Sequence, residues 1–271
     1  MSTANPAMLT SVKAALNIYD TPDPSRVLIV DTSHWTGIVD WQKAKAAGLV
    51  GAIIKFIDGT SITKYAVENY KGAKDAGLLV GGYHWLYRSA DISAGRQARA
   101  YLDFLKDHPC DIRPAIDFEW TKVNGVDANP NSTDLYGFVV PFEDGYGKKP
   151  MIYTAPGYWN QYGSKAISWA DYPLWKAQYR VKSPDAIMPW GDSFKFWQFT
   201  ANGKGSDYGF PVTGEKEADL NYWIGTLVEL YAWCASTPVP PIPPTASFNG
   251  ATMTLNIGPD GTPSIQGWSK L

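Results

Sequence analysis

The stretch Val27-Leu-Ile-Val-Asp31 is a short apolar run closed by a carboxylate, and the segment Trp41 to Ala47 after it has helix-forming composition ended by Gly48. A run this short, bounded by polar residues, suits a buried strand, and a glycine after the last helical residue is a stop signal. The two together read as one strand and one helix, and the unit repeats. Val50 to Phe56 is strand-like, Ala66 to Ala76 helix-like with Gly77 as its stop, and Leu78 to Leu86 strand-like again. Ile92 to Lys106 has apolar residues at helical spacing before His108-Pro109, and Ala115-Ile116 leads into Asp117. Leu135 to Phe142 predicts a helix that Pro141 breaks or kinks. Pro150-Met-Ile-Tyr-Thr154 supplies a fifth strand. Alternation of this kind argues for a parallel sheet with right-handed crossovers.

After Tyr158 to Ala166 the rhythm changes. Leu174-Trp-Lys-Ala-Gln-Tyr179, Phe194-Lys-Phe-Trp-Gln-Phe199 and Ala218-Asp-Leu-Asn-Tyr222 read as strands, but the segments between them are rich in Pro, Gly, Asp and Ser and fit no crossover helix. A last helix is expected from Ile224 to Trp233. The fold class is therefore α/β: an irregular TIM-like barrel of five β/α units plus three further strands. Sites in such barrels lie at the carboxyl ends of the strands, where Asp31, Asp117, Glu119 and Asp219 are all expected.

Arg113-Pro-Ala-Ile-Asp-Phe-Glu-Trp120 places two of these acids one residue apart. Residues two apart in a strand share a face, about 7 Å apart at their backbones. Neighbouring carboxylates repel, which raises the pKa of one and keeps a proton on it near neutral pH, as a general acid requires. The alternative is an Asp-x-Glu at an exposed strand end, each acid paired with a base. Asp31 has a second reading as a cap of the following turn, and Asp219 as a partner of Lys216.

The 271 residues are enough for a large core. A formal net charge of −2 shows no basic excess, which argues against nucleic acid as the main partner. Twelve Trp residues and only 18% charged residues favour flat apolar surfaces with polar edges, of the kind that stack on sugar rings, and place several Trp in a groove. Cys110 and Cys234 make no disulfide framework and read as buried free thiols. His34, His84 and His108 show no metal-ligand spacing, so neither metal nor cofactor is expected, and His84 reads as a hydrogen-bonded core histidine. Asp40-Trp41 reads as a helix start with a packed indole. The opening MSTANPAMLTSVKAALNIYD lacks a basic region followed by a continuous apolar stretch, so no signal peptide is expected, and no segment is long enough to span a bilayer.

Several motifs in order carry a resemblance. Asp31-Thr-Ser-His-Trp-Thr-Gly-Ile-Val-Asp-Trp41, Gly82-Tyr-His-Trp85, Asp117-Phe-Glu119, Ile152-Tyr-Thr154, Leu174-Trp-Lys-Ala-Gln-Tyr179, Trp197-Gln198 and Ala218-Asp-Leu-Asn221 together resemble the family-25 glycoside hydrolases, the Chalaropsis-type lysozymes common among phage endolysins. The resemblance runs from about Arg26 to Cys234 and implies an irregular barrel of five β/α units and three further strands. It implies hydrolysis of the β-1,4 bond after N-acetylmuramic acid in bacterial peptidoglycan; separately, Asp117 and Glu119, two apart on one strand, suit the short carboxylate separation of retaining cleavage, with the sugar's own 2-acetamido oxygen as the expected nucleophile. By position, Glu119 matches the general acid, Asp117 its neighbouring carboxylate, and Asp31 and Asp219 the acids completing the cluster. Tyr83, Tyr153, Trp175, Gln178, Trp197, Gln198 and Lys55 match sugar-groove positions; the four aromatics among them also suit barrel filling. The family's Ala-Ser/Thr-Glu-Gly run after the lysine is here Phe56-Ile-Asp-Gly59. The rival readings are another barrel glycosidase such as a chitinase, which Asp111 imitates in part, and a non-catalytic wall-binding or virion protein.

The expected organisation is an N-terminal extension over 1–25, a catalytic barrel over 26–235, a Pro-rich linker over 236–245 and a short tail over 246–271. Met8, Leu9, Val12 and Leu16 would share one face of a short helix laid against the underside of the barrel. The tail can be written as a hairpin of Thr252 to Ile257 with Ser264 to Trp268, serving wall binding, self-association or docking on the barrel, or remaining from a lost module. Without a signal peptide, the expected setting is a phage or prophage lysin made in the host cytoplasm and acting on the wall after release.

Overall fold

The computed structural model of the chain describes residues 19–214 and 216–235, and beyond them three strands. The helix expected around Met8 to Leu16 and the Pro-rich spacer over 236–244 lie outside the described residues. The apolar runs form β1 (Leu28–Thr32), β2 (Gly51–Asp58), β3 (Leu79–Trp85), β4 (Ala115–Asp117), β5 (Met151–Thr154), β6 (Leu174–Ala177), β7 (Phe196–Lys204) and β8 (Glu217–Trp223). Helices α1 (Trp41–Ala46), α2 (Ala66–Asp75), α3 (Ala94–Asp107), α4 (Ser132–Tyr146) and α5 (Pro156–Tyr162) follow the first five strands in turn, and α6 (Leu227–Ala235) follows β8. Each strand pairs with the next and β8 pairs with β1, so the sheet closes into an eight-stranded barrel.

One strand runs the other way. β1 to β7 pair in parallel, whereas β8 is antiparallel to both of its neighbours. This corrects the placing of Asp219 at a carboxyl end: it lies near the amino end of β8, and reversal brings that end to the mouth, with Asp219 in register opposite Asp31. The physical reason is the connection. Antiparallel strands need only a short loop, and the 3₁₀ turn Gly205–Tyr208, with the Gly205 N–H donating to the Lys216 carbonyl at 2.7 Å, folds the chain straight back.

The helix expected through Pro141 to Phe142 is present and longer. The helix does not stop there but runs on to Tyr146. Leu135, Phe138, Val139 and Phe142 are buried on either side of the proline, so packing offsets the lost backbone bond. Its start is fixed by a reciprocal cap, in which Asn131 accepts from the Asp134 N–H and the Asp134 side chain accepts from the Asn131 N–H.

Strand alternation sorts the core into two layers. Ile29, Ile53, Ala115, Met151 and Phe196 fill the barrel, joined by Leu230, Tyr231 and Cys234 of α6, which stops the end where the strands begin. Val30, Ile54, Phe56, Ile116 and Phe138 lie between the barrel and its helices. Cys110 and Cys234 are buried and free, and burial raises both thiols far above their ordinary range. Asp40 caps α1 by accepting from the Lys43 N–H, and the Trp41 indole donates to Asn69 Oδ1 at 3.2 Å.

Among the described residues, no crossover helix covers β7 and β8. Their outer faces carry Trp197, Phe199 and Tyr222, with Phe199 stacked on Tyr222 at 4.0 Å. The end of the N-terminal extension lies on them: the Asp23 N–H donates to the Tyr222 hydroxyl at 2.6 Å, and the Thr200 hydroxyl donates to Asp20 at 2.5 Å. The long segment between β6 and β7 is fastened by indoles, Trp159 donating to the Met188 carbonyl and Trp190 to that of Tyr172, each at 2.7 Å. Much of the Trp content is thus structural fastening. The remaining strands, β9 (Thr245–Phe248), β10 (Ala251–Ile257) and β11 (Pro263–Lys270), form a separate antiparallel sheet with β10 central.

Gly82 precedes Tyr83 on β3, and a Cβ there would fall on the Phe56 ring. Gly82→Ala is expected to cost about 1–3 kcal/mol through overpacking, read as an earlier midpoint in denaturant unfolding.

Candidate active site

Because alternate residues share a face, Ile29 facing the barrel interior puts Asp31 there too. The same parity carries Lys55 from Ile53, Asp117 from Ala115, and Gln198 from Phe196. All four lie above the apolar plug, at the mouth. A cleft of about 480 Å³ opens there, lined by Asp31, Asp117, Glu119 and Asp219 together with Lys55, Tyr83, Tyr153, Trp175 and Gln198. β4 ends at Asp117, so Glu119 stands just past the strand rather than on it, with the intervening Phe118 N–H still donating to the Tyr153 carbonyl at 3.0 Å.

Two residues expected at the groove are not among its lining. Trp197 has the opposite parity to Gln198 and lies on the outer face of β7, its indole donating to the Gln178 carbonyl at 2.8 Å. The Gln178 side chain is clasped by Asp185, with 2.7 Å bonds in both directions. Strand alternation excludes Trp197 and Gln198 from facing the same way, and that signal was present in the sequence. It also points to Tyr179, which lines the cleft and was missed. Ser33, His34 and Trp35 after β1, Asp58 and Trp85 at the ends of β2 and β3, and Lys122 after β4 complete the lining. Trp35 is 70% exposed, at the rim.

Aromatic donors set the direction of two amides. The Tyr153 and Tyr179 hydroxyls donate to Gln198 Oε1 at 2.8 and 2.5 Å, which turns Gln198 Nε2 to Asp31 Oδ2 at 2.8 Å. The Trp175 indole donates to Asn221 Oδ1 at 2.7 Å, which turns Asn221 Nδ2 to the same Asp31 oxygen at 2.7 Å. A carboxylate that only accepts fits both amide donors. Burial and the surrounding carboxylates push the Tyr83 and Tyr153 hydroxyls far above their ordinary range, so both stay protonated.

Both members of the acid pair are shifted upward by their surroundings. Burial, then the charge of Glu119, raises Asp117 well above the carboxylate range. Burial, then Asp219, raises Glu119 to about 7. Lys55 opposes both shifts. Asp117 Oδ1 is buried without a hydrogen-bond partner. Two other acids have structural roles. Asp111 takes Lys74 Nζ on both oxygens at 2.7 Å and the Val80 N–H at 2.8 Å and is not among the residues lining the cleft. Asp58 pairs with Lys55 at 3.0 Å. His84 is a core residue: Nε2 lies 2.8 Å from the Gly59 carbonyl, and burial lowers its pKa to about 4. Among the described residues, no group of three or more His, Cys, Asp or Glu is arranged to hold a metal ion.

The sequence model of the glycosyl hydrolases family 25 matches residues 30–208, which contain most of β1, the whole of β2 to β7 and all the cleft residues named except Asp219 and Asn221. The chain belongs to this family. It is a glycoside hydrolase. It is 28% identical to lysozyme M1 of Streptomyces globisporus, over 79% of this chain and 74% of that protein. Its fold is similar to the crystal structure of the lysozyme from Streptomyces coelicolor, with TM-score 0.66 and 25% identity over 79% of this chain and 100% of that one. The muramidase from Trichobolus zukalii gives TM-score 0.63 and 26% identity, over 78% of this chain and 100% of that one.

Gln198→Leu removes one donor from Asp31 and strips Tyr153 and Tyr179 of their acceptor. A loss of about 1–3 kcal/mol in stability is expected from the groups left unpaired, together with a fall of at least about tenfold in hydrolytic rate, measured by urea unfolding and by release of reducing sugar.

Proposed function

We propose that this chain is a lysozyme of the N-acetylmuramidase type, cleaving the β-1,4 bond between N-acetylmuramic acid and N-acetylglucosamine in bacterial peptidoglycan. The similar proteins named lysozyme and muramidase support the wall polymer as substrate. The assignment of roles rests on one observation: Asp117 and Glu119 share the cleft, both raised above the usual carboxylate range, and one Asp117 oxygen is buried without a partner.

Glu119 delivers its proton to the leaving glycosidic oxygen as the bond to the anomeric carbon breaks. The carbonyl oxygen of the sugar's own 2-acetamido group attacks that carbon and closes a cyclic oxazolinium ion. Asp117 Oδ1 accepts the acetamido N–H, which orients the amide and stabilises its developing positive charge. Water then loses a proton to the Glu119 carboxylate and opens the ring, so two successive inversions retain the configuration. Asp31, held by Gln198 and Asn221, and Asp219 opposite it keep the field at the mouth negative, and Tyr83, Tyr153 and Trp175 offer surfaces for the sugar rings.

Glu119→Gln is expected to fold normally and lose at least about 100-fold in rate, since an amide cannot supply the proton. In the unmodified enzyme the required form of Glu119 is the protonated one, so kcat/KM on soluble fragments should hold below pH 7 and fall as pH rises through about 7. Retention of more than about a tenth of the rate in the variant would remove Glu119 from this role.

Digests reduced with borohydride should carry muramic acid ends by mass spectrometry, and proton NMR of the first product should show the β-anomer. Substrates without the acetyl group should resist cleavage. Reduced glucosamine ends would reassign the bond cleaved, and an initial α-anomer would reject the double displacement.

A further inference from the structure

Lys55 is a cation set among acids, and what restrains it is a neighbour on its own strand. Residues three apart in a regular strand face opposite sides. Here the ladder between β2 and β3 shifts register between Lys55 and Ile57, as a bulge does, and the parity change brings Asp58 back to the side of Lys55. Lys55 Nζ then lies 3.0 Å from Asp58 Oδ2 and 4.1 Å from the centroid of the Trp85 ring. The lysine side chain is only 6% exposed, whereas that of Asp58 is 41% exposed at the edge of the cleft. The ammonium therefore rests between a carboxylate and an aromatic face, both at the strand ends and both lining the cleft.

We propose that Asp58 is a positioning residue that tethers the Lys55 ammonium on the Trp85 face, away from Asp117, so that Lys55 does not form an ion pair within the acid cluster. The Lys55 charge already lowers both acids, and an ammonium moved closer to them would lower both further and weaken the hold of Glu119 on its proton. The groups facing this lysine come from every neighbouring strand. Asp117 and Glu119 stand at the end of β4 and both feel its charge. Asp31 on β1 and Asp219 on β8 act on the same acid pair. His34, after β1, feels both Lys55 and Asp58, as does the buried His84 on β3, while Tyr87 feels Asp58. Lys122 lines the cleft from beyond β4 and has Asp127 3.6 Å away as its own counterion. Asp58 thus divides the charge of Lys55 before the acids feel it, and its own charge also raises Asp117 directly.

The inference rests on Glu119 being the general acid, and the experiment separates the two claims. The pH dependence of kcat/KM is measured on soluble peptidoglycan fragments for the full chain and for Asp58→Asn, Asp58→Ser, Asp58→Glu and Lys55→Met, with thermal unfolding of each. Asp58→Asn and Asp58→Ser should move the basic limb to lower pH by about 1 unit or more, as expected when an opposite charge comes within reach of a carboxylate. Asp58→Glu should restore the limb, and Lys55→Met should move it to higher pH. If the limb stays in place in both Asp58→Asn and Asp58→Ser while kcat falls, or if Asp58→Asn and Lys55→Met shift it in the same direction, the tether is overturned. Full activity in Glu119→Gln would instead overturn the parent assignment. An inactive Glu119→Gln beside an unmoved limb in Asp58→Asn would leave that assignment standing and remove only the tether.

Discussion

The barrel closes through a strand that runs against the rest, and the site depends on that reversal. β1 to β7 could form an open parallel sheet with one edge at β1 and another at β7. β8 fills the gap by pairing antiparallel with both, which puts Asp219 opposite Asp31. A parallel eighth strand would have needed a long crossover and would have presented its other end to the mouth. Closure also removes both edges, so the backbone groups of β1 and β7 are paired within the sheet. The acid ring at the mouth is therefore a product of topology, since Asp219 has no neighbour in sequence among the other three.

Once the acids are gathered, burial governs their chemistry. The barrel below them is filled with Ile29, Ile53, Met151 and Phe196, and this apolar floor denies the carboxyls water from beneath. In such a medium, charges act on one another far more strongly than at a surface. That is why Asp117 and Glu119 both rise above the carboxylate range, and why Lys55, the cation that opposes both shifts, bears on both. The amides of Gln198 and Asn221 could have pointed either nitrogen or oxygen at Asp31. Three aromatic donors, Tyr153, Tyr179 and Trp175, take the oxygens and leave the nitrogens for the carboxylate. The cleft lining and the acid-orienting network thus share Tyr153, Tyr179 and Trp175.

The half of the barrel without crossover helices is held by other means. Indoles anchor the segment between β6 and β7 to backbone carbonyls, and the Arg26 guanidinium lies 4.9 Å from the Tyr222 ring and 5.6 Å from that of Trp197 on the outer face. Trp197 accordingly belongs to the covering of the bare strands. The high Trp content reflects this fastening as much as the cleft, where Trp35, Trp85 and Trp175 are found.

By itself the sequence determined the repeated strand and helix units, the loss of that rhythm after α5, and the presence of an Asp-x-Glu at a strand end, because hydrophobic period and glycine stops are local properties. It also determined which face each strand residue takes, though Trp197 and Gln178 show that parity must be applied residue by residue. Only the tertiary structure decided the direction of β8, since an apolar strand reads the same in either sense. Only it decided that the helix through Pro141 continues to Tyr146, because the packing of Phe138 and Phe142 on either side is not a property of the local sequence. The partnership of Lys55 with Asp58 likewise needed the bulge in β2, whose register is set by the neighbouring strand. Local chemistry is written along the chain, whereas the field that raises Glu119 to about 7 arises only where burial and distant charges meet.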